Sequence, residues 1–234
     1  MLGHRDFDTN HNWGHTQIPL HLQNSTISFL DLNSSSNQAE LQPFSIPASP
    51  NCFSPTQRTT FEIIMSHYTQ HTTTKPLRMI IQGTAGTRIS FLMGWLQAAF
   101  SSSSPNNSSP LLLLAPTGVA AFNINSLTIH SALRIPINTM LPLEGQALAN
   151  LQEWLLHIRY VLIDEMSFIG PKLLSNIDSR LREAFPSHRT SPFGGCSVIL
   201  VGDLGQLPPV KDIPMYVGAS WSLLDCEFKD LERH

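Results

Sequence analysis

The sequence predicts an α/β domain with a mostly parallel sheet flanked by helices. Short apolar runs alternate along the chain with segments of helical periodicity, which is the order found in parallel sheets with right-handed crossovers. Two of these runs, Leu111–Ala115 and Tyr160–Ile163, are apolar at almost every position. Unbroken apolar runs of this length are typical of strands that are covered on both faces. The chain therefore fits a sheet sandwiched between helices.

Composition limits the size and the partners of this domain. The chain has 234 residues, which suits one α/β domain of about 150–200 residues plus a tail. It is 41% hydrophobic and 13% charged, so a core can form although the charged fraction is low against a typical ~25%. The formal net charge is −3, which gives no global basic field. Any contact with nucleic acid must therefore be local.

Cysteine and histidine positions favour no metal site and no disulfide framework. The three cysteines, Cys52, Cys196 and Cys226, lie far apart and show no metal-ligand spacing, so a reducing, intracellular compartment is expected. His67 and His71 have i, i+4 spacing but lack a third ligand, which favours solvated histidines over zinc ligands. No apolar run reaches the ~18–20 residues of a membrane span, and no targeting signal is readable. We therefore expect no membrane partner.

The first 50 residues are rich in Asn, Ser, His, Gln and Pro, and we expect them to form a disordered polar head with a short ordered piece near 27–32. The ordered domain is expected over 51–234, beginning with a helix. Ser54 and Gln57 have the spacing of a capping box, and Pro55 suits the first helical turn. Gln57 has a second reading, as a glutamine that contacts adenine.

The rest of the chain divides into predicted strands, helices and connections. Strands are predicted at 79–82, 111–115, 160–163 and 197–201. Helices are predicted from the turn after the first strand to about 100, then at 119–123, 144–158 and 172–185. A low-complexity linker is expected at 101–109 and a loop at 128–131.

A glycine-rich turn follows the first predicted strand and precedes a helix, and this is the layout of a phosphate-binding loop. The usual pattern is G-x-x-x-x-G-K-[ST], with Lys on the phosphates and the hydroxyl on Mg²⁺. Gly83 and Ser90 have the right separation, but Arg88 stands where Gly is expected and Ile89 where Lys is expected. The loop is therefore predicted to be degenerate.

Each of the four predicted strands ends in a candidate motif. In parallel sheets, ligands bind beyond the carboxyl ends of the strands, so the motifs are expected to form one site. The motifs begin at Gly83, Pro116, Asp164 and Gly202. The Asp164–Glu165 pair suits metal-assisted phosphoryl transfer. Its alternative is an acidic pair at a helix N-terminus.

Six stretches of the chain carry a family resemblance. They are Gly83-Thr84-Ala85-Gly86-Thr87, Ala115-Pro116-Thr117-Gly118-Val119-Ala120-Ala121, Leu162-Ile163-Asp164-Glu165-Met166-Ser167, Leu181-Arg182-Glu183, Phe193-Gly194-Gly195 and Val201-Gly202-Asp203-Leu204-Gly205-Gln206-Leu207-Pro208-Pro209-Val210. Together they resemble the first motor domain of the PIF-type (petite integration frequency) DNA helicases of superfamily one, over roughly 52–225. The resemblance implies a RecA-like P-loop NTPase fold that uses ATP and Mg²⁺. It also implies binding to single-stranded DNA or DNA junctions by a monomer in the nucleus or mitochondrion.

The resemblance implies roles for individual residues. Asp164 and Ser90 would hold Mg²⁺, and Glu165 would position and deprotonate the attacking water. Gln206 would sense the γ-phosphate, although it also reads as a turn residue before two prolines. The nucleotide-binding positions would be Gln57, Gly83, Thr84, Ala85, Gly86, Thr87, Arg88, Ile89 and Ser90. The DNA-binding positions would be Pro116, Thr117, Gly118 and His130, where His130 reads nearly as well as a local hydrogen-bonded histidine.

The sequence departs from the family at the phosphate loop. Ile89 offers no charge and no donor, and losing one such electrostatic group typically costs ~10²–10³ in rate. Arg88 places a Cβ where the backbone passes close to phosphate, which is expected to block or distort the loop. Because Arg88 is one position out of register, we do not expect it to replace the lysine.

Two functions follow, and a third is disfavoured. The first is a motor domain of an ATP-dependent 5′→3′ DNA helicase in repair, recombination or telomere maintenance. The second is a pseudoenzyme, or inactive fragment, that keeps nucleotide or single-stranded DNA binding. It is favoured for this polypeptide because the sequence ends at His234 without the family's second motor domain. An unrelated phosphate-loop ATPase is disfavoured by the signature around Gln206.

Overall fold

The centre of the domain is a five-stranded sheet in which every strand pair is parallel. The computed structural model describes residues 53–70, 75–84, 87–103, 109–137 and 140–215. The expected polar head at 1–50, including the piece near 27–32, lies outside the described residues. The predicted parallel α/β fold is confirmed.

Four strands of the sheet lie where strands were predicted from the sequence, and a fifth was not predicted. The strands are β1 (Arg78–Gln82), β2 (Leu111–Ala115), β3 (Leu127–Thr128), β4 (Tyr160–Ile163) and β5 (Ser197–Gly202). Their spatial order is β1-β5-β4-β2-β3. All residues of β2, β4 and β5 are buried. The four predicted strands are confirmed, with ends that differ by at most one residue.

In the part of the chain that the structure describes, six α-helices cover the two faces of the sheet. They are α1 (Pro55–Thr69), α2 (Ile89–Ser102), α3 (Gly118–Asn123), α4 (Ile129–Ala132), α5 (Gly145–Leu155) and α6 (Pro171–Ala184). Apolar residues of α1, α2 and α3 pack on one face of the sheet, and those of α4, α5 and α6 on the other. Alternate side chains of the central strands enter the two cores, as β-strand geometry requires. Among the described residues, no helix has the length and apolarity to cross a membrane.

The start of α1 forms the predicted capping box. The Ser54 hydroxyl accepts from the Gln57 backbone N–H at 3.2 Å, and the Gln57 side-chain oxygen accepts from the Ser54 N–H at 3.0 Å. Ile64 is fully buried, and Phe61, Met65 and Tyr68, on the same face of the helix, pack against the same core. The helix is therefore fixed by a local cap at one end and by burial along one side.

The prediction of a loop at 128–131 is wrong. Leu127 and Thr128 pair with Leu114 and Ala115 of β2, and α4 follows at once. The Thr128 side chain caps α4, because its hydroxyl oxygen accepts from the Ser131 N–H at 3.3 Å. A two-residue strand is too short to give a sequence period, so tertiary pairing and the cap decide the structure here.

The connection after α4 is held by a buried ion pair from α6. Arg180 is 1% exposed, and its guanidinium lies 2.6 Å from the Glu183 carboxylate. The same guanidinium donates to the carbonyls of Arg134 and Leu141, both at 3.2 Å. Glu183 also accepts from the Leu143 N–H at 3.2 Å. One ion pair therefore fixes the segment that leads from α4 to α5.

Candidate functional site

The carboxyl ends of all five strands lie along one edge of the sheet. The strand order places the turn after β1 at one end, followed by the ends of β5, β4, β2 and β3. Neighbouring strands are ~4.8 Å apart. The turn after β1 is therefore ~10 Å from the end of β4 and ~14 Å from the end of β2. The predicted motifs share one edge, in a defined order.

The turn after β1 has the strand–turn–helix layout of a phosphate loop. The Gly83 N–H donates to the Gly202 carbonyl of β5 at 3.1 Å. The Thr84 carbonyl accepts from the Thr87 N–H at 3.2 Å and from the Thr87 hydroxyl at 2.7 Å. Ala85 and Gly86 lie outside the described residues. The turn is thus closed by its own hydrogen bonds and tied to β5.

Gln57 connects helix α1 to this turn. Its side-chain amide donates to the carbonyl of Thr87 at 2.8 Å and to that of Arg88 at 3.4 Å. Its side-chain oxygen serves the capping box described above. Gln57 therefore forms the predicted capping box, and it also positions the phosphate loop. Contact with adenine stays a prediction.

Arg88 occupies a backbone conformation that favours glycine. Its φ and ψ are 54° and 38°, in the left-handed region, and it directly precedes α2 without a side-chain cap. For a residue with a Cβ this conformation costs about 1 kcal/mol or more. The backbone here adopts the left-handed conformation despite the substitution, and the side chain is exposed.

Ile89 lies across the inner side of the loop. A Cβ built on Gly83 would fall 3.0 Å from the Ile89 Cγ1 and 2.6 Å from the Thr87 hydroxyl oxygen, so a larger residue at 83 would displace both side chains. The Ile89 side chain is half-buried and packs against the core beneath α1, α2 and α3. It therefore contributes apolar contact where the family pattern has an amine. Ser90, the second residue of α2, is exposed beside the loop.

Two carboxylates follow β4 in the middle of the edge. Burial raises the pKa of Asp164, and a hydrogen bond from the Glu165 backbone partly offsets that rise. Burial also raises the pKa of Glu165, and the neighbouring charge of Asp164 raises it further. The Oε2 atom of Glu165 is buried and has no hydrogen-bond partner among the described residues. Both groups are therefore costly to keep ionised without a cation.

The backbone of Glu165 argues against a simple capping role. Glu165 has φ 53° and precedes a short 3₁₀ helix, Met166–Phe168, but its side chain makes no capping hydrogen bond. A left-handed non-glycine residue stores strain, and such residues cluster at functional sites. The alternative, an acidic pair at a helix N-terminus, matches the position of the two carboxylates before this 3₁₀ helix but has no capping hydrogen bond from Glu165.

Gly202 joins the carboxylates to the phosphate loop. Its φ is 141°, and an added Cβ would lie 2.9 Å from the Met166 backbone nitrogen and 3.3 Å from the Glu165 Cα. Its carbonyl accepts the Gly83 hydrogen bond described above. The end of β5 thus touches both the loop and the carboxylate segment, which requires glycine at this position.

Gln206 lies in the exposed turn after β5. Its N–H donates to the Asp203 carbonyl at 3.1 Å, so Gln206 takes part in a turn, which was the alternative role expected for it. The segment beyond it is anchored by Asp212, whose carboxylate accepts from the Lys172 N–H at 3.0 Å. Asp212 thereby caps α6 from forty positions away in sequence. Sequence reasoning missed this cap, because no local pattern connects the two segments.

The ends of β2 and β3 expose polar groups together. Thr117 is exposed and caps α3, since its hydroxyl oxygen accepts from the Ala120 N–H at 3.2 Å. A Cβ on Gly118 would meet nothing within 4 Å, so its backbone is open. Pro116 and His130 are half-buried, and His130 lies in α4 directly after β3. The four predicted DNA-binding positions are therefore neighbours.

Two exposed apolar side chains stand beside them on α3. Val119 is 74% exposed and Phe122 is 69% exposed. They are three positions apart and share a helix face. Sequence reasoning predicted this helix but missed its two exposed apolar side chains, although their i, i+3 spacing was readable.

The protein ligands expected for a magnesium ion differ from those expected for zinc. Within the described residues, no three or more His, Cys, Asp or Glu side chains are grouped to hold a metal. Magnesium is usually held by one or two carboxylates together with phosphate oxygens and water. Asp164, with its unfavourable buried charge, fits such a site. The loop side of the site supplies no cation at residue 89.

Comparison with known proteins identifies the family. Residues 52–216 match the family model described as PIF1-like helicase. The chain belongs to this family. Thus the resemblance read from the sequence is confirmed.

Curated relatives carry the same family name and are much longer. ATP-dependent DNA helicase PIF1 of Saccharomyces cerevisiae is 34% identical over 105 residues, which cover 43% of this chain and 12% of that protein. ATP-dependent DNA helicase PIF1 of Danio rerio is 35% identical over 133 residues, which cover 55% of this chain and 19% of that protein. The matched region thus covers less than a fifth of the length of either relative.

Solved structures of the family share the fold. Bacteroides sp Pif1 in complex with ADP-AlF4 has a TM-score of 0.52 and 26% identity, over 75% of this chain and 36% of that one. Pif1 helicase from Bacteroides in complex with ADP-AlF3 and ssDNA has a TM-score of 0.50 and 31% identity, over 70% of this chain and 35% of that one. The RecA-like fold expected of a PIF1-like motor domain is confirmed.

The strain at Arg88 gives a testable prediction. Arg88→Gly should raise the free energy of unfolding by about 0.5–1 kcal/mol, because glycine adopts the left-handed conformation without a Cβ penalty. The measurement is urea denaturation of both chains. Arg88→Ala is the matched control, since it removes the same charge but keeps the Cβ. Equal stability of the two variants would show that the backbone strain is absent.

Proposed function

We propose that this PIF1-like chain provides a motor domain of an ATP-dependent DNA helicase that moves 5′→3′ along single-stranded DNA. The observation that carries the proposal is the division of the carboxyl edge. The phosphate loop and Gln206 follow β1 and β5, and the proposed DNA-binding positions follow β2 and β3. The Asp164–Glu165 pair follows β4, between the two groups.

The nucleotide half would bind ATP and assist its hydrolysis. Asp164 and Ser90 would hold Mg²⁺, which when bound neutralises phosphate charge. Glu165 would accept a proton from the attacking water. Its pKa is raised toward neutral pH, which suits a general base. Gln206, exposed on the neighbouring strand end, would sense the γ-phosphate. Gln57 would contact adenine while it holds the loop.

The DNA half would bind the strand backbone. A hydroxyl and an open backbone at a helix start suit phosphate contacts, which fix position without reading sequence. Thr117, Gly118 and Pro116 provide this start, and His130 lies on the adjacent strand end. The Bacteroides Pif1 structure solved with ssDNA shows that a relative binds such a strand.

A second candidate function is a pseudoenzyme that binds DNA but does not turn over ATP. The packing of Ile89 across Gly83 favours it. The loop then lacks the lysine charge, and an apolar side chain contacts its inner surface. On this reading the DNA half keeps its function, and the nucleotide half is kept for structure or for weak binding.

Ile89→Lys should raise Mg²⁺–ATP affinity by ~10²–10³, since one preorganised charge at a phosphate is worth ~3–4 kcal/mol. The measurement is isothermal titration calorimetry on the unmodified chain and on the Ile89→Lys variant. A second pair of proteins, the same two chains with Arg88→Gly added to each, is measured in the same way. Binding is the better readout, because turnover depends on more than the loop.

Ile89→Met is the matched control for this experiment. It removes the branched contact at Gly83 without adding a charge, so it should leave ATP affinity unchanged. If the unmodified chain binds Mg²⁺–ATP as tightly as the Ile89→Lys variant, the loop binds nucleotide without the lysine, and the claim that Ile89 silences it is wrong. ATP turnover by the unmodified chain above that of Glu165→Gln would exclude the pseudoenzyme.

Thr117→Ala should weaken single-stranded DNA binding several-fold, because a phosphate contact of about 1 kcal/mol is lost. The measurement is fluorescence anisotropy with a labelled oligo-dT. The same change removes the α3 cap, at a stability cost of about 1 kcal/mol. Thr117→Ser keeps both the cap and the hydroxyl and should bind like the parent. Unchanged affinity in Thr117→Ala would remove Thr117 from the DNA surface.

The cellular role would follow from the family. We propose a monomer that acts on single-stranded DNA or DNA junctions in repair, recombination or telomere maintenance, in the nucleus or the mitochondrion. Relatives named PIF1 and RRM3 are described as ATP-dependent DNA helicases, which supports the class of activity.

A further inference from the structure

A cavity opens at the opposite edge of the sheet from the proposed motor site. Its volume is about 330 Å³, and its lining includes Tyr160 and Ser197, the first residues of β4 and β5. The four residues of β4 separate it from Asp164 by about 13 Å, at ~3.3 Å per residue. It is therefore a separate space, and no role described above uses it.

The lining of this cavity is cationic at its rim. Among the described residues that line it, none is acidic, and Arg159 brings a positive charge beside the ring nitrogens of His188. Arg159 and His188 are exposed, and within the described part of the chain Arg159 has no ion-pair partner. Ile158 and Phe185, both half-buried, add apolar surface to the same lining. The cavity thus combines positive charge with apolar walls.

A hydrogen-bonded pair holds the floor of the cavity in place. His67 Nε2 lies 2.8 Å from the Lys75 carbonyl oxygen, which only accepts, so Nε2 carries a proton. In the neutral ring Nδ1 then accepts from the Tyr160 hydroxyl, at 2.6 Å. Burial raises the pKa of Tyr160 to about 12, so the hydroxyl keeps its proton at neutral pH. The floor is therefore polar and preformed.

The space is not suited to a metal ion. Cys196 lines it together with the two histidines, but no three or more such side chains in the described residues are grouped to hold a metal. Cys196 is buried, and burial raises the pKa of its thiol to about 12, so it stays a neutral thiol. Recognition here must come from the cationic rim and the apolar walls.

We propose that this cavity is a second ligand site that takes a small organic anion. The phosphate or carboxylate of the ligand would pair with Arg159 and His188, and its apolar body would rest on Ile158 and Phe185. The volume is in the range of small-molecule sites, about 300–1,000 Å³. An arginine at the rim matches either anion by a two-pronged hydrogen bond.

The proposal is tested by NMR titration of the full 234-residue chain with phenyl phosphate. Saturable shifts of the His67 and His188 ring signals are expected, with a Kd of about 1 mM for a ligand of this size. Arg159→Gln should weaken binding at least tenfold, and Arg159→Lys should retain part of it. Arg58→Gln, which removes another exposed arginine, on α1, is the matched control and should bind like the parent.

Two further probes separate the parts of the proposal. Benzyl alcohol has the same ring without the charge and should bind at least tenfold more weakly. Benzoate tests the carboxylate, and saturable binding that needs Arg159 supports the site for that anion as well. If Arg159→Gln is poorly folded by its melting curve, His188→Gln is measured in its place and should also weaken binding.

Several results would overturn the proposal. No saturable shift with either anion would exclude a ligand site. Equal binding of benzyl alcohol, or unchanged binding in a folded Arg159→Gln variant, would exclude anion recognition by the rim. Shifts confined to the turn around Ile89 would place the anion in the phosphate loop instead.

Discussion

The structure depends on the parallel alignment of three completely buried strands. The backbone groups of β2, β4 and β5 are covered on both faces, so they can be satisfied only by neighbouring strands. Parallel pairing then brings every carboxyl end to one edge. The phosphate loop, the carboxylates and the exposed helix starts owe their proximity to this constraint, although they are far apart in sequence.

Within that edge, Gly202 links the turn after β1 to the segment that carries the two carboxylates. It accepts the Gly83 hydrogen bond and leaves no room for a Cβ beside Glu165 and Met166. This packing keeps two carboxylates close together and partly buried, where ionisation is unfavourable. A carboxylate whose folded pKa is raised lowers stability as pH rises through that pKa. The arrangement costs stability unless a cation offsets it, and Ile89 supplies none.

Sequence patterns predicted what local chemistry decides. The apolar runs located four strands, and the Ser54–Gln57 spacing located a cap, because both signals lie within a few residues. Tertiary contacts decided the rest. The strand β3 exists only through pairing with β2, and Asp212 caps a helix forty positions away. The left-handed backbone of Arg88 contradicts its residue type, so no propensity could have indicated it.

The central claim is that one edge of this PIF1-like domain is divided between nucleotide and DNA. Hydrogen–deuterium exchange with and without oligo-dT tests it most directly. The account predicts added protection in α3 and α4, which follow β2 and β3, and unchanged exchange in the turn after β1. Protection centred on that turn, or equal protection along the whole edge, would contradict the division.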